Sequence, residues 1–186
     1  ENNFLGKGIK LSTGLRVSEE RLRGNFTVTN PNFNYSDKSL STDIFITDTD
    51  KLNDSGYKST NAGFSFGTAF EQYDDFFFRP TFRTVYEELT TNSSASKNLK
   101  KQEGSYFTTD VGYTLDLDKR NQRFQTSDGY RSRFNQSIPI ITEDTAFFNS
   151  YEFTTFHQIA DMVTRLSIQG SAINALGDED VRISKR

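Results

Sequence analysis

Three carboxylates that share one face of a predicted strand are the residues of this chain best placed for chemistry. Asp110, Asp116 and Asp118 lie an even number of positions apart, so in a β-strand their side chains project from the same face. Paired carboxylates can perform general acid and base catalysis. Arg131 and Arg133 are two positions apart on the next predicted strand, so their side chains share one face. Opposite charges commonly pair across a hairpin. We therefore predict charge pairs on a wet face of a sheet and expect no enzyme.

The remaining titratable residues give weaker signals. His157 is the only histidine and there is no cysteine, so imidazoles and thiolates cannot build a metal cluster. The acidic stretch Asp48–Asp54 lacks the glycine and glutamate spacing of a calcium loop. The basic run at Lys97, Lys100 and Lys101 could contact phosphate groups, although such a run in a loop is usually solvated. The sequence predicts no cofactor.

Alternating apolar and polar residues predict that nearly the whole chain forms strands. The clearest hairpin runs from Tyr113 to Arg133 and turns at Asp128-Gly129. Similar patterns predict nine strands in all, starting near Ile9, Leu22, Leu40, Phe64, Phe76, Phe107, Tyr130, Tyr151 and Met162. Phe156 and Ile159 break the alternation, which predicts a bulge. The polar segment Thr90–Gly104 is interpreted as a mobile surface loop.

The composition indicates that the apolar faces of these strands meet lipid. Only 33% of the residues are hydrophobic, yet there are 18 Phe and 8 Tyr. That is too little aliphatic material for an ordinary core and too many aromatic residues for a disordered chain. A transmembrane β-barrel needs only alternate residues to be apolar. No apolar run approaches the roughly 18 residues of a spanning helix, and a net charge of −3 gives no reason to expect nucleic acid as a partner.

The predicted strand number suggests an incomplete barrel. Bacterial single-chain barrels close with an even number of strands, whereas nine strands would leave two unpaired edges in lipid. We therefore interpret residues 1–186 as a single partial β-barrel domain of an all-β, antiparallel membrane protein. The charged residues Asp110, Asp116, Asp118, Arg131 and Arg133 would then face its lumen.

Three motifs carry a resemblance to a known family, and each of them lies at a predicted turn. The first is the segment Asn3–Gly8, with Phe4, Gly6 and Gly8. The second is the strand end with Asn30, Pro31 and Phe33. The third is the turn with Asp118, Arg120, Phe124, Asp128 and Gly129. In this order and spacing they resemble the BamA-type outer-membrane assembly factors, the bacterial surface antigen family. Gln125 and Thr126 stand where the family has proline, which predicts a looser turn.

The resemblance implies a position, a function and partners. The chain would be about the third to the eleventh strand of a sixteen-strand barrel, with periplasmic repeat domains before it and the closing strands after it. The intact protein would fold and insert barrel proteins in the outer membrane of a Gram-negative bacterium. Its partners would be client barrel proteins, accessory lipoproteins, outer-membrane lipid and lipopolysaccharide. The turns at 30–37, 72–75 and 121–129 would be periplasmic.

Two other functions remain open at this stage. A passive outer-membrane pore, or a barrel that secretes or translocates proteins, would have the same strands and a polar lumen. A soluble β-sandwich that binds a ligand is a more remote alternative, because its two apolar faces should be rich in Val, Ile and Leu and meet in a core. Here Phe and Tyr dominate instead.

Overall fold

The computed structural model describes residues 2–4, 6–141 and 146–175, which form one antiparallel sheet. Ten strands follow one another in chain order, each paired with the next. Their bounds are β1 Asn2–Phe4, β2 Ile9–Val17, β3 Arg21–Asn30, β4 Ser39–Lys51, β5 Tyr57–Tyr73, β6 Phe76–Thr91, β7 Gly104–Asp118, β8 Gly129–Ile141, β9 Ala146–Ile159 and β10 Met162–Ala175. A 3₁₀ turn, Phe33–Tyr35, and a short helix, α1 Lys97–Lys101, lie in two connections. Over the described ranges no helix is long and apolar enough to cross a bilayer.

The all-β antiparallel fold is confirmed, but two details of the strand prediction are wrong. The prediction of nine strands omitted β1, because its three residues are too few to show alternation. Ten is an even number, so the argument from an odd count no longer holds, although β1 and β10 are edges that do not pair with each other in the described part. The predicted bulge near Phe156 is absent, because β9 pairs with β10 without interruption.

One face of the sheet, here called the aromatic face, carries the apolar members of each alternating pattern. Rings contact one another across four neighbouring strands in the order Phe70, Phe78, Tyr113, Phe134, with centroids 5.7, 6.2 and 6.2 Å apart. Such cross-strand aromatic pairs stabilise a sheet. Large apolar side chains of this face remain exposed, as at Ile44 on β4 and Leu166 on β10. This face suits contact with lipid chains.

The opposite face, here called the polar face, is covered by hydrogen-bonded polar side chains. Thr114 Oγ1 donates to Asn135 Oδ1 at 2.7 Å, and Asn135 Nδ2 donates to Ser150 Oγ at 3.0 Å. Few hydrophobic residues are buried: of those described, only Leu89, Ala95 and Ala146 are. A second layer that would cover either face is absent from the described residues, which argues against the β-sandwich alternative.

The connection between β6 and β7 is folded, contrary to the prediction of a mobile loop over Thr90–Gly104. Asn92 holds it against the β4–β5 turn: its Nδ2 donates to Leu52 O at 2.8 Å and its backbone N donates to Gly56 O at 2.9 Å. Ser96 then caps α1 by accepting a hydrogen bond from Leu99 N at 3.3 Å. Sequence patterns missed this because the contacts join segments far apart in the chain.

Candidate functional site

Of the residues in the predicted charge pairs, Arg131 and Arg133 lie around Asp116 of β7, whose side chain is buried. Arg131 of β8 donates from Nε to Oδ1 at 2.8 Å and from Nη2 to Oδ2 at 2.7 Å. Arg79 of β6 donates from Nη1 to Oδ2 at 2.5 Å, and Arg133 Nη2 lies 3.7 Å from the same oxygen. These four residues, here called the arginine–aspartate cluster, join three neighbouring strands through one carboxylate.

The geometry of this cluster favours a structural role for Asp116. A buried carboxylate is tolerated only when charged partners and hydrogen bonds replace the water it has lost. Bidentate arginine pairs are among the strongest such partners. Both oxygens of Asp116 already accept hydrogen bonds from guanidinium groups. Neither oxygen is therefore placed to exchange a proton with a substrate, as a general acid or base must.

The other two predicted carboxylates lie outside the cluster. Asp118 was predicted to balance the arginines of β8, but its close partner is Arg120, which donates from Nε at 2.6 Å and from Nη2 at 2.7 Å. This pair forms because the chain turns back immediately after β7. The carboxylate raises the pKa of Arg120, mainly through these hydrogen bonds. Asp110 lies farther along β7, opposite Arg83 of β6.

Phe77 and Arg79 are members of the site that the sequence analysis missed. Phe77 lies directly opposite Asp116 in the β6–β7 pairing, and therefore on the polar face. Two guanidinium groups contact its ring, with Arg79 Cζ 5.6 Å and Arg123 Cζ 5.5 Å from the centroid. Three consecutive phenylalanines concealed the phase of this strand. The shared parity of Arg79 and Arg83 was the signal that could have found it.

The β7–β8 turn holds the motif residues Asp118, Arg120, Phe124, Asp128 and Gly129. It is organised by Asn121, whose Oδ1 accepts hydrogen bonds from Ser127 N at 3.2 Å and Asp128 N at 3.3 Å. These bonds fix the turn although the proline of the family motif is missing. Gly129 has a φ of +94°, and a Cβ at that position would lie 2.2 Å from Lys119 O, so glycine is required. Phe124 is 82% exposed.

The other two motifs are also turns at this end of the sheet. The first begins at Phe4, the last residue of β1, and contains Gly6 and Gly8. The second begins at Asn30, the last residue of β3, and contains Pro31 and Phe33. In the first turn, Asn3 O accepts a hydrogen bond from Gly6 N at 3.1 Å and Asn3 Oδ1 accepts one from Gly8 N at 2.7 Å. In the second, Asn30 Oδ1 accepts from Asn32 N at 3.2 Å. All three motifs lie where consecutive strands are joined, and Leu5 of the first motif lies outside the described residues.

The polar face also borders a cavity of about 870 Å³ near the opposite end of the sheet. Side chains of β3 to β7 line it together with one residue of α1 and the residue that follows this helix. The lining includes Arg21, Arg23, Phe45, Arg83, Leu99 and Tyr106. Arg83 Cζ lies 4.8 Å from the centroid of the Phe45 ring. The mixed lining indicates a wet space on this side of the sheet.

Comparison with known proteins shows the family to which this chain belongs. The Omp85 superfamily domain matches residues 3–186. The crystal structure of BamA from Haemophilus ducreyi lacking POTRA domains 1–3 superposes with a TM-score of 0.82 at 15% sequence identity, covering 100% of this chain and 39% of that chain. A comparison with curated proteins found no match. The ten-strand sheet is a BamA-type partial barrel, and the chain belongs to the Omp85 superfamily.

Proposed function

We propose that this chain is part of the barrel of an outer-membrane factor that folds and inserts other β-barrel proteins. The observation that carries the proposal is the match to the Omp85 superfamily domain over residues 3–186. The intact protein would lie in the outer membrane of a Gram-negative bacterium. Client barrel proteins and accessory lipoproteins would be its protein partners, while lipid and lipopolysaccharide would contact the aromatic face.

In this proposal the described strands act as a stable wall. A client strand would enter such a machine by pairing with an exposed strand edge. β6, β7 and β8 are instead paired on both sides and joined through Asp116. The arginine–aspartate cluster would keep these strands in register while another part of the barrel opens. We assign neither a catalytic role nor a cofactor to it.

Depletion of the full-length protein in its own bacterium tests this function. We expect many different barrel proteins to disappear together from the outer membrane, measured by heat-modifiable gel mobility. Purified protein in liposomes should also accelerate the folding of an added client barrel over protein-free liposomes. A passive pore would give ion conductance without that acceleration, and a secretion barrel would stop the export of one partner while other barrels assembled normally. Either result would contradict the proposal.

A further inference from the structure

Three polar side chains form a row across the aromatic face. Tyr113, Gln136 and Asn149 are directly opposite one another on β7, β8 and β9. Tyr113 Oη donates to Gln136 Oε1 at 2.9 Å, and Gln136 Nε2 donates to Asn149 Oδ1 at 2.7 Å. The Tyr113 ring packs between those of Phe78 and Phe134, which shows that the row projects from the aromatic face. We call these three residues the amide row.

The amide row lies within the apolar band of this face and not at its border. Toward the β7–β8 turn, the next pair on the same face is Leu115 and Phe134. Toward the other end of the strands, the next pair is Val111 and Ile138. Polar side chains at the edge of the band would reach the membrane interface, but these have apolar neighbours in both directions along the strands. They therefore lie at the depth of the lipid chains.

The row leaves hydrogen-bond donors unused. A carboxamide carries two N–H donors and an oxygen that can accept two hydrogen bonds. Asn149 Nδ2 has no acceptor among the described residues, and one N–H of Gln136 Nε2 is likewise unused there. In the hydrocarbon core there is no water to accept these bonds, so leaving them unmet is costly. If these N–H groups lay on the polar face instead, water could accept their hydrogen bonds.

We propose that the amide row is the contact through which two copies of this barrel associate side by side in the membrane. A two-fold axis along the membrane normal places the identical row of the second copy at the same depth. Carboxamides are self-complementary, so Asn149 Nδ2 of one copy can donate to the Asn149 or Gln136 oxygen of the other. Acyl chains offer no acceptor. This association goes beyond the proposed assembly function and requires only that the aromatic face meets lipid.

Cysteine cross-linking in the native outer membrane tests the association directly. Residues 1–186 contain no cysteine, so Ala172→Cys is made in the full-length protein with any cysteine elsewhere replaced by serine. Ala172 is exposed on β10 directly opposite Asn149, so this change leaves the amide row intact. Ile44→Cys is the matched control, because Ile44 is exposed on the aromatic face of β4, away from the row. We expect an oxidant to give a disulfide-linked homodimer with Ala172→Cys and not with Ile44→Cys. No homodimer, equal homodimer at both sites, or an adduct only with a different protein would overturn the proposal.

A double substitution separates association from support of the single barrel. Gln136→Leu with Asn149→Leu removes the donors and leaves side chains suited to lipid. We expect the dimer to be lost in native mass spectrometry from detergent, while the midpoint of heat-induced unfolding stays unchanged or rises. A persistent dimer would overturn the proposal, as would loss of the dimer together with a fall in the unfolding midpoint, since the row would then support the single barrel. Neither readout uses assembly activity, so failure here is distinct from failure of the proposed function.

Discussion

An arginine in place of Phe134 tests which face of the sheet meets lipid. Phe134 lies on the aromatic face, with its ring centroid 6.2 Å from that of Tyr113 and with Leu115 and Tyr151 as its cross-strand neighbours. An arginine on the lipid face of a barrel costs about 2–4 kcal/mol near the bilayer midplane. Loss of the aromatic pair adds roughly 0.5–1.5 kcal/mol. We therefore expect Phe134→Arg to lower the free energy of unfolding by at least about 2 kcal/mol.

The matched control is Asn135→Arg, at nearly the same depth on the polar face. Asn135 loses its hydrogen bonds with Thr114 and Ser150 when it is replaced. Each is worth about 0.5–1.5 kcal/mol, and water in a wet lumen replaces part of that. We expect Asn135→Arg to cost about 1 kcal/mol or less, and therefore considerably less than the arginine at Phe134.

The assay is urea unfolding of the full-length protein in lipid, with the folded fraction read from heat-modifiable gel mobility. Outer-membrane yield in cells gives an independent second measurement. Equal losses of stability at Phe134 and Asn135 would refute the reasoning. They would mean that both faces are packed against protein, as in a sandwich, and that the aromatic face does not meet lipid.

Three further predictions concern the cluster, the turn and the orientation. Asp116→Asn should lower the free energy of unfolding by about 3–5 kcal/mol in the same assay, because it leaves arginines without their buried counter-charge. Gly129→Ala should cost more than about 1 kcal/mol, because its methyl group would meet Lys119 O. If the β6–β7 connection is outside the cell, a membrane-impermeant maleimide should label Asn98→Cys on intact cells and label Gln122→Cys only after permeabilisation.

Each of these predictions has a control or a contradicting outcome. Asp48→Asn should cost much less than the change at Asp116, since the ion pair of Asp48 with Lys58 is partly exposed to solvent. Gly170→Ala should be tolerated, because nothing lies within 4 Å of the Cβ it would add. Similar losses at both members of either pair would contradict the assigned contacts. Labelling of Gln122→Cys but not Asn98→Cys on intact cells would reverse the orientation.

The sequence by itself determined nine of the ten described strands, most of their two faces and the turns. Alternation is a local property, so the phase of Tyr113, Leu115 and Leu117 against Asp116 and Asp118 could be read directly. The requirement for glycine at position 129 was equally local, because it follows from the backbone of one turn. The motifs at these turns also indicated the family that the Omp85 match confirms.

Only the tertiary structure decided which side chains meet, because partners depend on strand register and on how turns fold back. Alternation places Asp116 and Asp118 on the same face. The fold of the β7–β8 turn, however, pairs Asp118 with Arg120. The register between β6 and β7 places Arg79 beside Asp116. The same register aligned Tyr113, Gln136 and Asn149, which lie on three strands and show no pattern in the sequence. A shift of one residue would move each of these side chains to the other face.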